Sequence, residues 1–158
     1  MEFFNWLEAT ALAEWVRVSA WGYPLMITLH SVGLAVVVGL AVAIDLRLLG
    51  RFRGIPLTSL RTFFTIAWLG FLVNFLSGAA LFASQAASHY ISNVPFLTKI
   101  GFVIAGAATI GYLQPAVAKL GEGTGADSVL PAGAKAAAVI SLIVWAGATV
   151  TGRLIAYL

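Results

Sequence analysis

The stretch that decides the fold is residues 18–44, VSAWGYPLMITLHSVGLAVVVGLAVAI, which contains no Asp, Glu, Lys or Arg. A helix of these 27 residues, at about 1.5 Å per residue, is longer than the roughly 30 Å hydrocarbon core of a bilayer. Pro24 falls where a helix tolerates proline, in its first turn. The sequence therefore predicts a membrane-spanning helix here.

Three more apolar runs follow along the chain. The next uncharged run, residues 62–98, is long enough for one span and a connection, and the polar residues 88–93 interrupt it. A glycine-rich linker, residues 121–125, precedes the last run. The predicted spans are residues 23–44, 59–86, 95–118 and 131–157. No run alternates like a barrel strand, and lipid-facing backbone must satisfy its own hydrogen bonds, so we expect an all-α four-helix transmembrane bundle as a single domain over residues 1–158.

Composition supports a lipid environment. The 158 residues are 61% hydrophobic and only 9% charged, whereas soluble domains have about 25% charged residues. A water-soluble globule is thereby excluded, because so few charged groups do not cover the surface of a folded particle. The lipid bilayer is the expected partner.

The basic residues indicate an orientation. They are concentrated in the first and third connections, at Arg47, Arg51, Arg53, Arg61, Lys119 and Lys135. The net charge of +3 is explained by this placement, so no nucleic-acid partner is expected. By the positive-inside rule, the pattern predicts a multi-pass protein of the cytoplasmic (inner) membrane with both termini outside.

The N-terminal segment is predicted to stay on the protein and to lie at the membrane surface. Residues 1–14 contain three Glu and no Lys or Arg, whereas a secretory signal begins with basic residues. Phe3, Phe4 and Trp6 suit the headgroup level. A short N-terminal interfacial helix is the expectation.

Ionisable side chains inside a bilayer are costly, so each one is a candidate for a site. His30 lies early in the first predicted span, Lys99 early in the third, and Arg153 near the end of the fourth. Helix rise places all three roughly 6–9 Å below the same surface of the bundle. They are therefore predicted to share one layer.

His30 has two interpretations. It can be a neutral imidazole that hydrogen-bonds a neighbouring helix, or an axial ligand of haem iron, since bundle interiors hold such cofactors between facing helices. Gly33, one turn further on, is expected to leave room for a flat macrocycle beside this ligand.

Lys99 and Arg153 also have two interpretations. Their long cationic side chains can reach lipid phosphates at the interface, or they can pair with the carboxylates of an acidic cofactor. Lys99 can alternatively supply an axial amine. His89, predicted in the outer connection, is either a solvated histidine or a second metal ligand beside His30, which requires its loop to fold back into the bundle.

The sequence contains few of the residues that other functions would need. The sequence contains no Walker motif, no His-Glu-x-x-His and no Cys, and it has only two Met, so hydrolysis and soft-ligand copper handling are poorly supported. A copper or small-solute transporter needs a polar path across the bundle. Asn74, Ser77 and Gln114 could begin such a path, but the spans contain few polar residues of this kind. A non-catalytic scaffold or assembly subunit stays open, because small residues repeat along the second and third spans.

Four segments resemble a known family. They are WGYPLMITLHSVGLA at residues 21–35, DLRLLG at 45–50, SGAALF at 77–82 and NVPFLTK at 93–99. Together they are similar to an uncharacterised bacterial family of four-helix membrane proteins, and the first is the most specific.

More distantly, a first-span His and a Lys that opens the third span resemble the J-type protoporphyrinogen oxidase and the copper-resistance D membrane families. The first of these resemblances implies a b-type haem or porphyrin site at His30 and Lys99. The oxidase's aromatic and basic signature after its first span is replaced here by residues 44–50, IDLRLLG, so its activity is not carried over.

The functional expectation is an integral membrane protein that binds haem b and serves electron transfer or redox support. Its cofactor-binding residues are predicted to be His30, Lys99, Arg153, Gly33 and His89, with His30 and His89 as the metal ligands. A membrane redox partner or a homo-oligomer is the expected protein partner. No catalytic residue is assigned.

Overall fold

The computed structural model describes residues 2–85, 90, 92–123, 132–155 and 157. Six α-helices and one short 3₁₀ turn, Leu57–Ser59, make up this part of the chain, and it contains no strand. The helices are α1 Glu2–Glu8, α2 Ala11–Val18, α3 Gly22–Leu48, α4 Leu60–Ser84, α5 Val94–Gly123 and α6 Ala132–Leu154. The predicted all-α four-helix bundle is confirmed.

Four segments are long and apolar enough to cross a membrane. They are Gly22–Leu48, Leu57–Ser84, Val94–Lys119 and Ala132–Leu154. Large apolar side chains point away from the bundle on every span, for example Val32, Phe75, Ile104 and Ile143. Lipid is the medium that such surfaces require, so the chain is a multi-pass membrane protein.

The N-terminal segment forms two short helices where one was expected. Thr10 separates them, because its hydroxyl accepts a hydrogen bond from the Ala13 N–H and caps α2. Ala13 and Val16 are buried, and α2 packs against α3 and α4. The segment is thus docked on the bundle through one face of α2.

The end of α3 differs from the predicted boundary at residue 44. The helix continues through Asp45 and Arg47 to Leu48, and Gly50 then turns the chain at a φ of +89°, a conformation that favours glycine. The Arg47 guanidinium donates from Nε to the carbonyl of Ile55 at 2.6 Å. Arg47 therefore holds the first connection against the helix end, and Asp45 lies inside the bundle.

The first two spans pack most closely at Gly33. A Cβ added there would lie 2.6 Å from the backbone nitrogen of Asn74 and 2.8 Å from the carbonyl oxygen of Gly70. Gly70 in turn faces Val36, whose Cγ1 would lie 2.7 Å from an added Cβ. The backbone of α4 thus occupies the place of a side chain, as in other small-residue contacts between membrane helices.

Replacing Gly33 is expected to separate α3 from α4. Gly33→Ala should lower the free energy of unfolding by about 1–3 kcal/mol, because the methyl group meets backbone that has no rotamer to escape into. Thermal unfolding in mild detergent, followed by circular dichroism, measures the effect.

The matched control is Gly39→Ala on the same helix, since no atom lies within 4 Å of a Cβ added at Gly39. Its effect should stay within about 0.5 kcal/mol. Equal melting temperatures for the two variants would contradict the close contact.

Candidate functional site

His30 is joined to α4 by two hydrogen bonds. Its Nδ1 lies 2.9 Å from the carbonyl oxygen of Asn74, and the Asn74 side-chain amide donates to the carbonyl of His30 at 2.8 Å. Both bonds link α3 and α4 at the height of the Gly33 contact. The close approach of the two backbones is what brings an asparagine side chain within reach of the facing main chain.

Lys99 contacts the other ring nitrogen of the same imidazole. Its Nζ lies 3.1 Å from His30 Nε2, which joins the third span to the first. The stem of Lys99 passes Gly152 on α6, where an added Cβ would lie 3.4 Å from Cδ and Cε. An added Cβ at Gly78 would lie 2.9 Å from His30 Cε1. Glycines on α4 and α6 therefore make room for the His30–Lys99 pair.

The hydrogen bonds assign the imidazole tautomer. A carbonyl oxygen only accepts, so Nδ1 carries the proton that reaches Asn74. When Lys99 is an ammonium it only donates, so Nε2 then presents its lone pair to Lys99. In that state His30 is neutral with Nε2 as its basic atom, and the ring is held between two spans.

An aromatic cluster closes this end of the bundle. Phe82 stacks on Phe96 with ring centroids 5.6 Å apart, and Tyr90 lies 5.0 Å from Phe96. Phe4 of α1 meets Phe82 edge-on. Phe82 follows Gly78 by one turn and Phe96 precedes Lys99 by one turn, so the rings lie between the pair and the adjacent membrane surface.

The remaining predicted site residues behave differently. Arg153 is exposed, and within the described part of the chain no hydrogen bond or ion pair joins it to His30 or Lys99. The space beside Gly33 is filled by the backbone of α4, so this glycine serves helix packing and opens no room for a planar group. His89 lies outside the described residues.

Asn74 is the site residue that sequence reasoning missed, and it is buried and completes the site. From the sequence alone it was considered only as part of a sparse polar path. The signal was present, because a buried amide in a membrane span needs a partner, but the helical register that turns it toward His30 is not visible in the sequence.

A metal site made of protein ligands alone has no support in the part of the chain that the structure describes. There, no three His, Cys, Asp or Glu residues lie close enough together to hold an ion. His30 offers a single imidazole nitrogen, so any metal at this site would have to arrive with most of its own ligands.

Comparison with known proteins identifies no relative. No family model, no curated protein and no solved structure matches the chain.

Removing the Asn74 amide should weaken the bundle. Asn74→Ala deletes the interhelical bond to the His30 carbonyl and leaves a small cavity, with an expected loss of about 1–2 kcal/mol. Thermal unfolding in detergent measures the loss.

Thr65→Ala is the control for this change, because the Thr65 hydroxyl bonds only within α4, to the carbonyl of Arg61. If Thr65→Ala lowers the free energy of unfolding as much as Asn74→Ala does, the interhelical bond contributes no more to stability than a bond within one helix.

Proposed function

We propose that the protein binds a b-type haem at the His30–Lys99 pair and serves electron transfer or redox support in the membrane. One observation carries the proposal: His30 donates from Nδ1 to the backbone carbonyl of Asn74 and presents Nε2 to a side chain of another span.

The orientation of His30 is the one that metal-bound imidazoles adopt. A ligating histidine almost always donates its other ring N–H to a carbonyl or carboxylate, which fixes the tautomer and raises the basicity of the ligating nitrogen. Asn74 supplies that carbonyl here, and its own side chain bonds back to the main chain of His30. The imidazole is therefore held in the orientation that ligation needs, and a metal binding at Nε2 would displace the Lys99 amine from that atom.

Lys99 fits the same proposal in two ways. Its amine lies at His30 Nε2: in the neutral form it would ligate from the third span, and as an ammonium it would pair with a propionate. No carboxylate of the described residues forms an ion pair with it, and a half-buried cation without a protein anion favours an acidic ligand. Arg153 is exposed near the same level and would meet a propionate only at the rim of the site.

The donor set fits a haem, because a porphyrin supplies four of the iron ligands and the chain has to provide only one or two. When bound, the group supplies one-electron transfer. The contribution of this chain is to orient His30 through Asn74, to place a cation beside it at Lys99, and to exclude water with the aromatic cluster.

A spectrum tests the proposal. The protein purified in mild detergent, with haem supplied during expression, should show a Soret band and a reduced-minus-oxidised difference spectrum of the b type. His30→Ala should abolish both signals, because it removes the oriented nitrogen.

Phe75→Leu is the control, since Phe75 faces away from the bundle and its replacement should leave the spectrum unchanged. A protein that stays colourless after haem supplementation would contradict the proposal. Colourless protein that copurifies with a stoichiometric membrane partner would instead support the alternative described next.

The alternative is a non-catalytic scaffold or assembly subunit. Its specific support is three glycines, Gly39 on α3 and Gly101 and Gly111 on α5, where an added Cβ meets nothing within 4 Å. Gly101, Ala108 and Gly111 are all exposed on α5. Helices pack closely at such positions in membranes, so the exposed face of α5 is open to a partner helix or to a second copy.

We also propose that the chain lies in the cytoplasmic membrane with both termini outside. The first connection supports this, because it holds Arg51 and Arg53, both exposed, and the positive-inside rule places such residues in the cytoplasm.

Cysteine accessibility measures the orientation cleanly, because the chain has no native Cys. On intact cells, a small membrane-impermeant maleimide should label Asn5→Cys and should label Arg51→Cys only after lysis. The reverse pattern would place the termini in the cytoplasm.

A further inference from the structure

A second group of polar atoms lies near the opposite end of the bundle, around Asp45. Its side chain is 1% exposed, and within the described part of the chain Oδ2 has no hydrogen-bond partner. Arg47 lies two residues further along the chain, but its guanidinium bonds to the carbonyl of Ile55, and no ion pair between Asp45 and Arg47 is found among the described residues.

One side chain of α6 faces this carboxyl. Ser141 lies against Asp45 and is 1% exposed. Its hydroxyl has no other hydrogen-bond partner among the described residues, so it is available to donate to the carboxylate.

The surrounding cations do not neutralise this carboxyl. Arg47 turns to the first connection. Lys135 on α6, Arg61 on α4 and Lys119 on α5 are all exposed, and Arg61 has its own partner. A carboxylate inside a bilayer without a counter-ion is unfavourable, so a neutral carboxyl or a bound cation is required.

We propose that Asp45 is a proton-binding site within the membrane, with Ser141 as the donor that stabilises the carboxylate when the proton leaves. The exchange is a simple one: the carboxylate takes up one proton to become a carboxylic acid, and it returns that proton to water at the side of the first connection. Asp45 stands one turn before the end of α3, which gives the shortest route to water.

The chemistry of the group favours a proton over a metal cation. Sodium, magnesium and calcium take several oxygen ligands, whereas the side chains that face each other here supply one carboxyl and one hydroxyl. Among the described residues, no group of three His, Cys, Asp or Glu residues that could hold a metal ion includes Asp45. One carboxyl beside one hydroxyl is too small a ligand set for a metal ion, but it is sufficient to bind and release a proton.

Labelling with dicyclohexylcarbodiimide tests the site in the intact protein in liposomes. This apolar reagent reaches the bilayer interior and reacts with carboxylic acids, whose O–H adds across one of its C=N bonds, so that the adduct keeps all atoms of both. Peptide mass spectrometry should find the adduct on Asp45. Its yield should fall about tenfold for each pH unit above the midpoint, because only the protonated form reacts.

Variants separate the site from a structural role. Asp45→Asn should remove the adduct. Ser141→Ala should shift the midpoint of labelling to higher pH, because it removes a donor to the carboxylate. Ser84→Ala is the matched control: Ser84 is also buried, but its hydroxyl bonds to the carbonyl of Leu81 in its own helix, so the midpoint should not move.

Three results would overturn the proposal. An absent Asp45 adduct at every pH would mean that the acid form is not populated. A yield that does not change with pH would make Asp45 a permanently protonated structural group. Protection by sodium chloride, compared with choline chloride at the same pH and ionic strength, would make the ligand a metal cation.

Discussion

The contact between α3 and α4 at Gly33 is the constraint on which the site depends. At that point the backbone of Asn74 occupies the position of a missing side chain, so the two main chains lie within reach of short polar side chains. His30 and Asn74 then satisfy each other across the contact. In hydrocarbon no water replaces a lost partner, and the imidazole is therefore fixed in orientation and tautomer by the packing of the first two spans.

The fold was largely readable from the sequence because the bilayer imposes simple rules. The length of the uncharged runs and the position of Pro24 are local properties, and they predicted four helices at the observed places. The boundaries differ where a local rule competes with tertiary contacts. Asp45 and Arg47 marked the end of the first span by their charge, yet α3 continues to Leu48 because each side chain is buried and Arg47 has a partner in the connection. Thr10 divides the N-terminal segment through a cap that the prediction had not considered.

The site was readable only in part. Helix rise alone placed His30 and Lys99 in one layer, and the structure brings their side chains to 3.1 Å. Depth, however, does not fix direction around a helix. Arg153 shares the layer but is exposed, and Gly33 serves helix packing. Asn74 and Asp45 were undervalued for the same reason, since rotation about each helix axis, which the tertiary contacts determine, decides whether a polar side chain faces a neighbour.

The polar group around His30 and the polar group around Asp45 share no contacts, and the electrostatic interaction between them is weak. His30 and Asp45 stand on the same helix about 22 Å apart, and the side chains of Val37, Ala41 and Ile44 between them belong to the apolar core. No described hydrogen-bond chain crosses this core, so a proton has no route from one group to the other among these residues. At an effective dielectric constant of about 20, one unit charge at each group gives an interaction of about 0.8 kcal/mol, or roughly a fourfold change in a protonation equilibrium. A change of charge at His30 would therefore alter the proton occupancy of Asp45 only slightly, and a function that couples them tightly would require a movement of α3 as a whole.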